Sequence, residues 1–193
     1  MNRKLPAVLV IAAIVLAGVS CGRSAESEKA KTEPTPASAP AQTAALRVVP
    51  GQPISGAGKI LSTSATFHDD AGQLNITDLF LVINDSAHGV DGTGGCAIWE
   101  KRPTGEVYLL DDSGKKWLGP HKAGSNNVIV NGQCLISLKN TGLAEVNQDL
   151  QWVTAVAFDK SFTGSKNIYA KAINKQKKES NFALVGSWTA SAQ

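Results

Sequence analysis

The 193-residue chain has few charged residues, few aromatic ones and very little of the chemistry that marks catalytic or metal-bearing proteins. Only 18% of residues are charged, 19 basic against 16 acidic, and no basic field is dense enough to neutralise a run of phosphates. A nucleic-acid partner is therefore not expected. The three histidines, His68, His88 and His121, are scattered with no ligating neighbour in sequence, so neither a metal nor a cofactor is expected. No apolar run reaches the ~20 residues of a membrane-spanning helix. Amphipathic helical periods are also scarce, which leaves the 18 glycines and 8 prolines to punctuate a turn-rich β protein.

What the chain does have begins with an export signal at residues 1–20. Arg3 and Lys4 precede an apolar run of 11 residues, Ala7 to Ala17, too short to span and well suited to a cleaved signal peptide. Small residues then lead into Cys21. Gly18-Val-Ser-Cys21 resembles the lipobox of bacterial lipoproteins, although Gly18 stands where Leu is usual. The resemblance implies that Cys21 becomes the acylated first residue of the mature chain and that the protein is held at a membrane by its lipid. Gly22 is not the Asp associated with inner-membrane retention, so the outer membrane is the expected address where a cell has one, and otherwise the outer face of the plasma membrane. Without Arg3 and Lys4 the chain is close to neutral, 17 basic against 16 acidic residues. Residues 22–45 are built mainly from Ser, Glu, Lys, Thr, Pro and Ala with no large apolar residue, and are expected to form a disordered tether behind Cys21.

Residues 46–193 read as one all-β domain, an antiparallel two-sheet sandwich of immunoglobulin-like kind with eight or nine strands. Leu61, Thr63, Ala65 and Phe67 alternate onto one face. Leu79-Phe-Leu-Val-Ile83, apolar at every position, suits an inner strand covered on both sides. Residues 85–95 form a Gly/Asp-rich loop. Glu106–Leu110 and the residues about Trp117 flank the turn Asp111-Asp-Ser-Gly114, and a second hairpin turns at Asn131-Gly132, a pair suited to positive φ. Leu150, Trp152, Val156 and Phe158 recur at spacing two, which puts Trp152 in the core, and Phe162-Thr-Gly164 turns the chain. Lys166–Ile173 and Phe182–Ala190 make the last pair, joined by a charged loop.

Export places Cys96 and Cys134 in an oxidising compartment, where they are expected to form a disulfide worth roughly 4 kcal/mol on the chain-entropy model. On the strand beginning at Cys96, Trp99 points away from the cysteine face. Trp99, Tyr108 and Trp117 are the candidate ligand-binding side chains, because aromatic rings on a sheet surface stack on sugars or anchor proteins. Covering a core or a loop is the plainer role for the same rings. Asp69, Asp70 and Asn75, and Asp85 with Asp91, offer oxygens suited to calcium, but turn formation explains them equally. Asp111 and Asp112 face apart and do not make a catalytic pair, so no catalytic residue is assigned. Lys171, Lys175, Lys177 and Lys178 could touch anionic polymers, or simply solvate a sheet edge.

Cys96, Val107-Tyr-Leu-Leu-Asp-Asp-Ser-Gly114, Asn131-Gly-Gln-Cys134, Phe162-Thr-Gly-Ser-Lys-Asn-Ile-Tyr169 and Gly186-Ser-Trp-Thr189 together resemble a cysteine-containing β-sandwich domain that recurs in bacterial secreted and surface proteins. The resemblance implies the sandwich and the disulfide and brings no catalytic set. The expected function is thus a non-catalytic, membrane-anchored module that binds or scaffolds an envelope polysaccharide or a protein. A hydrolase of envelope polymers and a purely structural protein are the alternatives.

Overall fold

A computed structural model describes residues 46–49 and 60–190. The signal segment, Cys21 and the proposed tether lie outside the described residues. Eleven strands are present among the described residues: β1 (Leu46–Val49), β2 (Leu61–Asp69), β3 (Ile76–Asn84), β4 (Cys96–Lys101), β5 (Glu106–Leu110), β6 (Trp117–Lys122), β7 (Val128–Val130), β8 (Cys134–Val146), β9 (Asp149–Phe158), β10 (Gly164–Asn174) and β11 (Ala183–Ala190). They form a five-stranded sheet in the order β1-β2-β9-β8-β7 and a six-stranded sheet in the order β11-β10-β3-β4-β5-β6. All pairings are antiparallel. Neither sheet closes on itself, so the architecture is the expected sandwich.

The period-two alternation decides which side chains meet between the sheets. Phe67 on β2 and Leu150 and Trp152 on β9 face Leu81, Ile98 and Leu109 of the six-stranded sheet in one buried cluster. β3 lies between β10 and β4, which explains its uninterrupted apolar run: Leu79, Leu81 and Ile83 face the core while Phe80 and Val82 face outward. Phe162, which the sequence places in a turn, is also buried, its ring 5.5 Å from that of Phe158. β1 was not separately expected, and β8 runs well past Leu138. Its ladder with β9 shifts between Ser137 and Gly142, where the Thr141 hydroxyl donates to Ser137 O and accepts from Ala155 N. A side chain thereby replaces the backbone partners that the irregularity displaces.

Each end of the sandwich is fastened differently. At one end the Cys96–Cys134 disulfide joins β4 to β8, with the two Cα atoms 5.8 Å apart. Beside it, Asn131 turns the β7–β8 hairpin with its side chain. Oδ1 accepts from Gln133 N and Cys134 N, while Nδ2 donates to Gly95 O, just before β4, and to Leu110 O at the end of β5, both on the opposite side of the sandwich. The expected positive-φ turn is not what forms: neither Asn131 nor Gly132 has positive φ. Gly132 is required for another reason, since its N–H meets Asp112 Oδ1 at 2.8 Å and a Cβ there would lie 2.8 Å from Asp112 Oδ2. At the far end the buried Asp69 carboxylate accepts from Asn75 Nδ2, Asn174 Nδ2 and Ala71 N, tying β2 to the start of β3 and the end of β10.

Candidate ligand-binding face

The outer face of the six-stranded sheet carries three rows that run across the strands. The middle row is Lys171–Phe80–Trp99–Tyr108, one residue from each of β10, β3, β4 and β5 in direct register. Side chains directly opposite one another on neighbouring strands are close enough to touch, and these do. The Trp99 ring stacks on Tyr108 with centroids 4.7 Å apart and lies nearly parallel to Phe80 at 5.9 Å. Trp117, on the outermost strand β6, stands edge-wise to Trp99 at 5.5 Å. The three aromatic candidates therefore form one cluster, joined by Phe80, and all four rings are partly exposed.

Trp99 is the centre of this cluster. Its Nε1 donates to Asp78 Oδ1 at 3.0 Å, and Lys101 Nζ stands 4.6 Å from its centroid and 5.0 Å from that of Tyr108. Tyr108 and Trp117 lie toward the edge. Opposite Tyr108 the β5–β6 register shifts, and β6 has the cis Gly119–Pro120 pair there with no aromatic side chain.

The second row, Asp78–Lys101–Glu106–Lys122, alternates in charge along its length. Glu106 Oε2 accepts from Tyr108 Oη and Thr104 Oγ1, which couples this row to the rings. The third row is apolar and floored by Val82, Ala97 and Leu110, with Trp117, Tyr169 and Phe182 packed on them. The loop 85–95 closes over part of this floor. Gly92, at φ +74°, would place a Cβ 2.9 Å from Ala97 Cβ and 3.0 Å from Leu110 Cδ2, so only a bare backbone fits. Asp85 holds the loop by accepting from the backbone N–H groups of Ala87 and His88, and the His88 contact holds its carboxyl below the usual range.

Lys171 is not on a sheet edge. It occupies the interior strand β10, pairs with Glu179 at 2.8 Å and stands over Phe80 and Phe182. Lys175, Lys177 and Lys178 lie in the β10–β11 connection. The acidic candidates are engaged elsewhere: Asp69 by amide donors, and Asp111 by the backbone of Lys115 and Lys116, which lowers its pKa. Asp112 points to Gly132 instead, so the adjacent pair is divided between two tasks. Among the described residues no group of three or more His, Cys, Asp or Glu side chains is placed to hold a metal.

Sequence reasoning missed Phe80, Asp78, Lys101 and Glu106. Phe80 is hidden in a run apolar on both faces, and the other three are visible only once the strand register is known. Glu100 was also missed. It points into the core, 1% exposed, with Oε2 unpartnered, and burial pushes its carboxyl up to about 7. The Trp152 indole faces it outside hydrogen-bonding geometry and, with the Arg102 charge, draws the value only partly back. No family model matches the chain, and no curated protein matches it.

Proposed function

We propose that the chain is a lipid-anchored envelope protein, attached through Cys21, whose sandwich is a non-catalytic module that holds an envelope polysaccharide on the outer face of its six-stranded sheet. The observation that carries the reading is the co-location of Trp99, Tyr108 and Trp117 with Phe80 on a face that no further strand or helix covers among the described residues. A row of hydrogen-bonding groups runs directly beside those rings, and sugar recognition combines apolar ring faces with a few placed polar groups. Trp99 is the keystone of the cluster; Tyr108 and Trp117 make the contact.

The test is co-sedimentation of the detergent-solubilised chain with insoluble envelope polysaccharide, beside Trp117→Ala. Binding by the parent and loss in a folded variant supports the reading, whereas equal binding by both refutes it. Attachment is checked separately by mass spectrometry of the mature N-terminus. Acyl chains on Cys21 and release of a Cys21→Ala chain into the soluble fraction are expected, and an unmodified Cys21 in a membrane-bound chain would refute the anchor.

A further inference from the structure

We propose that this face takes an uncharged, extended glycan lying across the strands, parallel to the row Lys171–Phe80–Trp99–Tyr108. The inference rests on the glycan reading above and gives its substrate class and direction. A ligand following β3 would meet Asp78, Phe80 and Val82 in turn, passing from a charge over a ring to a floor partly roofed at Gly92. A ligand crossing the strands keeps the rings of Phe80, Trp99 and Tyr108 under it from β3 to β5, with the polar row at its side from β3 to β6. From β10 to β6 the face spans four strand spacings, ~19 Å, which suits a short oligosaccharide rather than a single sugar.

The polar row excludes strong charge of either sign. Lys101 is paired in register with Asp78 on one side and Glu106 on the other, so a carboxylate or phosphate drawn to its ammonium meets two carboxylates. Glu106 stands between Lys101 and Lys122 and is equally unsuited to a cation. A hydroxyl can use both, donating to a carboxylate while accepting from the neighbouring ammonium. The capacity is there. Among the described residues Lys101 gives one hydrogen bond, at 3.4 Å to Tyr108 Oη, and Glu106 accepts through Oε2 alone, leaving Oε1 for a ligand.

The test is calorimetric titration of the full chain, in a detergent without a sugar headgroup, against hexasaccharides of β-1,4-linked glucose and of N-acetylglucosamine. The corresponding disaccharides and hexagalacturonate are the comparison probes. The expected result is that a neutral hexasaccharide binds at least about ten-fold tighter than its disaccharide and than hexagalacturonate. Trp117→Ala should weaken that binding by about ten-fold, as for the loss of one large aromatic contact, with an unchanged far-UV spectrum. Tighter, Trp117-dependent binding of hexagalacturonate overturns the uncharged ligand and leaves the glycan reading standing. Equal affinity for disaccharide and hexasaccharide overturns the direction across the strands. Absence of Trp117-dependent binding to every probe, or capture of a protein through the same rings, overturns both.

Discussion

Replacing Glu100 with Gln should make the sandwich more stable above neutral pH and leave it nearly unchanged in acid. The carboxyl sits between Leu79 and Val107 in the ladder, facing the core, and its pKa is about 7 where an unburied Glu titrates near 4.5. The folded chain therefore holds a proton that the unfolded chain releases, and stability falls as pH rises from about 4.5 to about 7. At 1.36 kcal/mol per pKa unit, a gap of that size removes about 3 kcal/mol by pH 8. Gln carries no charge at any of these pH values. Urea unfolding followed by tryptophan fluorescence, run on both chains from pH 4.5 to pH 8, isolates the effect, because the difference between the two curves cancels every other titrating group. The stability of Glu100→Gln minus that of the parent should rise from near zero to about 3 kcal/mol, less the cost of leaving an amide N–H without a partner. A flat difference curve would refute the assignment of a raised pKa to Glu100, and a falling one would mean that the ionised carboxylate has a partner in the core.

Other outcomes follow from the fastenings at the two ends. Removing both Cys96 and Cys134 by Ala should cost about 4 kcal/mol, a large share of a domain's 5–15 kcal/mol, measured as a shift in the urea midpoint. Asp69→Ala removes the acceptor shared by the buried amides of Asn75 and Asn174 and should cost about 2–3 kcal/mol, whereas Asp70→Ala next to it, which loses an exposed contact with His68, should cost under about 1 kcal/mol. Gly132→Ala pushes a methyl group into the Asp112 carboxylate and should cost about 1–2 kcal/mol. Because both changes break one contact, Gly132→Ala combined with Asp112→Ala should cost less than the sum, which a double-mutant cycle reads directly.

The strands were largely legible because period-two alternation needs no knowledge of partners. Leu61 to Phe67 and Leu150 to Phe158 declare their buried faces locally, and so Trp152 could be placed in the core and Trp99 on the opposite face from Cys96. The cysteine pairing was expected from core-facing strand positions together with the expectation of export, and the disulfide forms between the sheets. Long-range register was not legible. The row that sets Phe80 beside Trp99 depends on which residue of β3 faces which residue of β4, and the all-apolar centre of β3, Leu79 to Ile83, carries no mark of it. Local turn rules also failed where a side chain works over distance. Asn131-Gly132 looked like a self-contained turn, yet Asn131 spends its amide on Gly95 and Leu110, and Gly132 exists to admit Asp112. Glu100, between Trp99 and Lys101, reads as one more surface charge until the strand's two faces are assigned, and then it falls inward.

The Gly119–Pro120 pair in β6 has a bearing on how copies of the chain behave when crowded. β6 is one rim of its sheet, and β7 is the neighbouring rim of the other, so together they form one flank of the sandwich. A rim with a regular set of free N–H and C=O groups recruits a strand from the next molecule and begins a fibre. Here Pro120 has no N–H to offer, and β7 ends after three residues, although Val128 and Val130 on it are about half exposed. The flank is apolar enough to be sticky and too broken to act as a template, so chains packed side by side can touch there without polymerising.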